Sequence, residues 1–197
     1  MNRRQAGSIP RSRRVASLGV LFFLSSALLH AQSDDLAFQS RQAKEMMSAG
    51  RFEEAISIYK QLVQAVPQEP GLRLNLALAE HLAGRDREAI PDSEAVLKAQ
   101  PNLFPALLSL GATRMALRQP QQAITALEKA VAIEPSNRDA RGMLADALLE
   151  AGRFDRAAGQ FRQLSSISAS DPRVWYGLGM SYQSIANRAG KFMSKSR

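Results

Sequence analysis

From residue 36 onward the chain repeats itself every 34 residues, and nothing else in the sequence restricts its fold as strongly. Ala55, Ala89, Ala123 and Ala157 stand 34 apart, as do Ala43, Ala77, Gly111, Ala145 and Gly179. Leu76, Leu110, Leu144 and Leu178 form a third column, with Gln42 in the first row, and Pro67, Pro101 and Pro135 form a fourth. Gly50, Gly84 and Gly152 share a column with Arg118. The rows start at Leu36, Pro70, Phe104, Arg138 and Pro172, with no insertion between starts. One such unit cannot bury its apolar face alone, whereas stacked neighbours can, so an unbroken register implies a repeat array.

Each column carries a local expectation. Ala and Leu abound and aromatic residues make up 6% of the chain, which favours helices. The small residues of the first two columns let helices approach closely. Leu62, Val96 and Leu164, with Tyr59 and Phe161, make the apolar stripe that buries against neighbours. Gly50, Gly84 and Gly152 suit the left-handed residue that ends a helix. Pro67, Pro101 and Pro135 stop the helix that follows, while Pro105 and Pro120 fit first helical turns, where a missing N–H costs little. Pro91, some five residues into its helix, predicts a kink or a late start.

These residues resemble the tetratricopeptide repeat (TPR) family. Trp175, Leu178, Gly179 and Tyr182 match its W-x2-L-G-x2-Y pattern, and Ala55, Tyr59 and Pro67 match its later Ala, aromatic and helix-ending Pro. The resemblance implies an all-α fold: a right-handed α-solenoid of about four and a half helix–turn–helix repeats. They occupy 36–69, 70–103, 104–137 and 138–171, with a partial repeat over 172–189, inside a solenoid domain spanning 32–189. Glu80 and Arg114 replace the pattern's Tyr, and Ser93 its second-helix aromatic. The last row looks incomplete. Ala189-Gly190-Lys191-Phe192 echoes the first-row turn Ala49-Gly50-Arg51-Phe52 four residues late, which makes 190–197 a basic tail or a truncated repeat. Leu178, Tyr182 and Ile185 are then expected on an exposed C-terminal helix, open to solvent, a partner or a second copy.

The N-terminus reads as an export signal. Arg3, Arg4, Arg11, Arg13 and Arg14 precede an uncharged run from Val15 to Leu29, and Ala31 precedes a polar start. This is the layout of a secretory signal peptide over 1–31, and the destination it implies is the periplasm or beyond. The run spans about 22 Å as a helix, short of a ~30 Å hydrocarbon core. An uncleaved anchor over 15–31 is the alternative; with cleavage, no membrane insertion is expected.

Charge and composition restrict chemistry. The formal net charge of +8 comes from the two ends: residues 32–187 balance at 17 basic against 18 acidic. No basic stripe interleaved with aromatics appears, so nucleic acid is not an expected partner. Cysteine is absent and the histidines are two, His30 and His81, so neither a metal site nor a cofactor is expected. No phosphate-binding loop or nucleophile elbow is present, and the reading is not that of an enzyme.

What remains is a binding surface. In the family, the first helices of the repeats line a concave groove that takes peptides or extended segments. By that resemblance Lys44, Asn75, His81, Met115, Asp146, Glu150 and Met180 fall on or near the groove. Asn75 matches one position of the clamp by which some family co-chaperones hold an acidic C-terminus, but Ser40, Pro105 and Ser109 stand at its basic positions. Asp146 and Glu150 lie one helical turn apart and share a face, where a cation or a basic peptide could sit; a solvated acidic face is the plainer reading. His81 and Met115 suit packing roles as well as binding. Three functions are thus expected: an exported scaffold or adaptor gripping a protein partner, a fragment or substrate-positioning subunit of a larger enzyme, or a self-assembling unit.

Overall fold

The computed structural model describes residues 34–195, so the signal-peptide reading of 1–31 and the anchor alternative lie outside the described residues. Nine helices follow one another among them. The first, α1, covers 34–48. After it come α2 (Phe52–Ala65), α3 (Pro70–Leu82), α4 (Asp86–Ala99), α5 (Phe104–Ala116), α6 (Pro120–Ile133), α7 (Arg138–Glu150), α8 (Phe154–Ile167) and α9 (Pro172–Lys195). The first four repeats are helix pairs, and the fifth is α9 alone among the described residues. No helix among the described residues is long and apolar enough to cross a membrane.

The turn between paired helices is the same four times. In each, the residue at the glycine column has a positive φ: Gly50 at 72°, Gly84 at 75°, Gly152 at 71° and Arg118 at 58°. The next residue's N–H reaches back five residues: Arg51 to Met46, Arg85 to Glu80, Gln119 to Arg114 and Arg153 to Leu148, at 2.7–2.9 Å. The left-handed residue also donates three residues back, so two of the carbonyls that a helix end leaves bare find donors.

Starts are capped at the opposite turn. Asn137 accepts from the Ala140 N–H at 3.1 Å, Glu69 from Gly71 at 3.1 Å and Asp171 from Arg173 at 3.0 Å. Each satisfies an orphan N–H of a first helix. Pro70 and Pro120 open their helices and Pro105 is the second residue of α5, as the spacing predicts. Pro67, Pro101 and Pro135 sit just beyond α2, α4 and α6.

The late start expected at Pro91 does not occur. α4 begins at Asp86, five residues ahead of it, and runs unbroken to Ala99. Asp86 and Glu88 in the first turn favour the start through the helix dipole. The lost N–H strands only the Arg87 carbonyl, and Arg87 and Pro91 are both exposed to water.

Each helix packs on the next. The first helices also touch one another, α3 on α5, α5 on α7 and α7 on α9, and no pair of second helices makes comparable contact. The array therefore curves with first helices on its inner, concave face. Tyr59, Leu62, Val96, Leu127, Leu148 and Phe161 are among the buried residues between layers. Full burial of such side chains stabilises by about 1.5–3 kcal/mol each. The core also admits polar side chains. One cluster joins α1, α2 and α3, two others lie among α5 to α9, and between them sit buried Glu80, Ser93, Ser109 and Thr113.

Two expectations at the C-terminal end need correction. α9 runs through Ala189 and Gly190 to Lys195, so 190–195 extends the last helix and Gly190 makes no turn. Gly179 does not receive a close neighbour either: a Cβ there would meet nothing within 4 Å, because no second helix of its repeat packs on it among the described residues. At Gly111, in the same column, a Cβ would fall 2.6 Å from Leu127 Cγ on α6.

Candidate functional site

The inner face opens into a cavity of about 450 Å³ between α7 and its neighbours. Its floor is apolar. Phe161 and Leu164 of α8, in the layer behind, are reached from the groove, with Leu108, Met143 and Val174 around them. Gly142 lines the opening and puts no side chain into it. A Cβ built on Gly142 would point at Leu164 Cδ2, 3.8 Å away. The residues one, two, and three repeats from it in its column are Ser40, Leu74, Leu108 and Tyr176, and all carry one.

The rim is charged. Arg138, Asp139 and Asp146 come from α7, Asp171 and Arg173 from the start of α9. Arg173 and Asp171 pair with each other at 2.8 Å. That hydrogen bond holds the Asp171 carboxyl below its usual range and raises the Arg173 guanidinium. Arg138 Nη1 reaches Ser168 Oγ at 3.5 Å. Asp146 is different: enclosure by surrounding protein pushes its carboxyl up, Arg173 pulls it down, and the Glu150 and Asp171 charges push it up again.

Of the groove residues expected from sequence, the structure brings only Asp146 into this cavity. Lys44 is exposed on α1, while Asn75 on α3 and Met180 on α9 are half-buried. His81 Nδ1 lies 2.5 Å from Asp86 Oδ1 and ties the end of α3 to the start of α4, a structural role. Met115 packs against the core cluster of α6, α7 and α8. Glu150 reaches Arg118 at 3.8 Å in the turn one repeat earlier and does not join Asp146 in the cavity. On α9, Tyr182 is 48% exposed as expected, but Leu178 and Ile185 are only partly so. Leu178 packs back on the core around Phe161, since α9 lies along α8. Trp175, whose Nε1–H donates to the Ala169 carbonyl at 2.7 Å, Tyr176 and Phe192 are exposed on α9 as well.

Sequence reasoning missed Arg138, Asp139, Gly142 and Arg173 as a group. The signal was present in the columns: glycine interrupts a position filled by larger side chains in every other row. It also missed that arginines replace aromatics as stitches between helices. Buried Arg141 donates to Gln160 at 2.8 Å and to Gln163 and the Pro135 carbonyl, and Arg73 pairs with Asp92 at 2.7 Å.

Comparison with known proteins agrees with this architecture. The tetratricopeptide repeat model matches residues 46–113 and again 114–180. The Hsp70-Hsp90 organizing protein of Triticum aestivum is 32% identical over 111 residues, covering 56% of this chain and 19% of the relative. Surface lipoprotein assembly modifier 1 of Neisseria meningitidis serogroup B is 36% identical over 102 residues, covering 51% and 20%. The chain thus spans about a fifth of the length of either relative. A crystal structure of MamA superposes with a TM-score of 0.72 at 23% identity, over 81% of this chain and 88% of that one. YrrB, described as a TPR protein with an unusual peptide-binding site, gives 0.70 at 21% identity, over 76% and 77%. These two structures speak to the fold. The doubled match of the family model, laid over helix pairs in constant register, shows that the chain belongs to the tetratricopeptide repeat family.

Proposed function

We propose that this protein is a non-catalytic, exported adaptor that holds an extended segment of a partner protein in its concave groove. The observation that carries the reading is the cavity at Gly142: an apolar floor with a polar, charged rim, opening on the inner face of the array. Such a floor excludes water around an inserted side chain, and the rim orients what surrounds it. The relatives support a binding role. The wheat protein is named an organizing protein and the neisserial one an assembly modifier. The basic n-region and apolar run before Ala31 support export.

The test uses the full chain with a C-terminal tag, recovered from the cell envelope and read by mass spectrometry beside a Gly142→Leu variant that fills the cavity. The expected result is an N-terminus at Gln32 and one partner lost from the variant. A chain that keeps Met1 and stays in the cytoplasm overturns export. A partner set identical in both overturns the groove.

A further inference from the structure

The cavity rim is not electrically balanced. Arg173 and Asp171 are satisfied by each other at 2.8 Å. Arg138 is the one further cation on the rim, against two further carboxylates, Asp139 and Asp146, for which the structure shows no hydrogen bond. Asp146 stands beside the gap left by Gly142, one helical turn along α7, and looks over the apolar floor. The slot therefore joins two chemistries: hydrocarbon below, and at the edge a carboxylate that accepts no hydrogen bond. A long basic side chain has the same two parts in the same order, an aliphatic stem and a cationic head. The volume, about 450 Å³, lies at the small end of ligand cavities and suits one side chain with the backbone that carries it.

We infer that this slot takes a lysine or arginine side chain of the bound segment, its stem against Phe161 and Leu164 and its cation on Asp146. The inference rests on the groove reading above and adds the class of residue that the groove selects. Neighbouring protein raises the Asp146 carboxyl although the side chain stays open to water, and an arriving cation favours its ionised form. Binding then needs ionised Asp146. It strengthens as pH rises through that group's pKa and levels off above it. It also weakens with salt, since the rim is open to water.

A random library of extended peptides, sorted on the immobilised full chain, tests this. Gly142→Leu and Asp146→Asn serve as counter-selections, and a thermal melt verifies that each is folded. A Cβ at 142 meets only ordinary contact, and Asp146 lies at an open surface, so both are expected to fold. The expected result is enrichment of Lys or Arg at one position, lost on Gly142→Leu, with binding weakened about tenfold by Asp146→Asn. Enrichment of apolar or acidic residues that survives Asp146→Asn but not Gly142→Leu overturns the inference and leaves the groove reading standing. A pool that does not distinguish Gly142→Leu from the native chain overturns both.

Discussion

Arg118 holds a backbone conformation that its three counterparts meet with glycine. Its φ of 58° places a β-carbon where the left-handed region penalises one, by about 1–2 kcal/mol. The side chain earns little in return: its contact to Glu150 is 3.8 Å long, and it is 84% exposed. Arg118→Gly should therefore stabilise the protein. Allowing for the greater freedom of glycine in the unfolded chain, the gain is about 0.5–1 kcal/mol, read as a higher urea midpoint with unchanged slope. Two glycines on α9 make the opposite comparison. A Cβ at Gly177 would fall within 2.7 Å of three atoms of the Phe161 ring, which is itself buried; one at Gly179 would meet open space. Gly177→Ala should cost about 1–3 kcal/mol, and Gly179→Ala should be neutral or stabilise by up to about 1 kcal/mol through helix propensity. Paired thermal melts measure the difference.

At the scale of the helix, the weak element is α3 with its partner α4. Glu80 is 1% exposed, with Oε2 unpaired and Lys60 Nζ 3.5 Å from Oε1; Ser93 Oγ is buried without a partner as well. Burial raises the Glu80 carboxyl, Asp92 adds to the rise, Lys60 opposes it, and Glu88 adds again. A carboxyl raised on folding contributes its full stability below its unfolded pKa, near 4.5, and loses it as pH climbs through the folded value. Glu88 runs the other way. Its hydrogen bond from Arg85 lowers it to about 2, so its contribution is present above 4.5 and fades as pH falls toward 2. Glu80→Gln keeps the shape, removes the buried charge and leaves Lys60 with Glu88 at 3.2 Å. The variant should match the native stability near pH 4 and exceed it increasingly above, by about 1 kcal/mol at neutral pH, read from melts across pH. A gap that stays constant with pH would show that Glu80 does not titrate in this window. The substitutions at Glu80 and Ser93 were visible as departures from the repeat pattern. Their joint effect, two polar groups buried on packed helices of the array, was not, because a column shows what stands in a place and not how deeply it is buried.

For the whole molecule, periodicity made the architecture legible before any coordinate. Turn glycines, stop prolines and small-residue columns each name a backbone requirement, and a requirement repeated in register leaves few folds open. The candidate site was legible only in part. Asp146 was found because charge is conspicuous, whereas the cavity beside it is lined at Gly142 by a residue with no side chain to notice. His81 and Glu150 were conspicuous as titratable groups and Met115 as an adaptable apolar one, and each has a local partner. The contacts of α3 with α5, α5 with α7 and α7 with α9 have one further consequence. Packed helices stand about 8–10 Å apart, so these four lay out roughly 30 Å of inner surface in equal steps. An extended chain advances about 3.3 Å per residue, so each step passes about three residues of it. A molecule built this way is a ruler: its graduations are helices, and it can register how far apart two marks lie on a strand drawn along it.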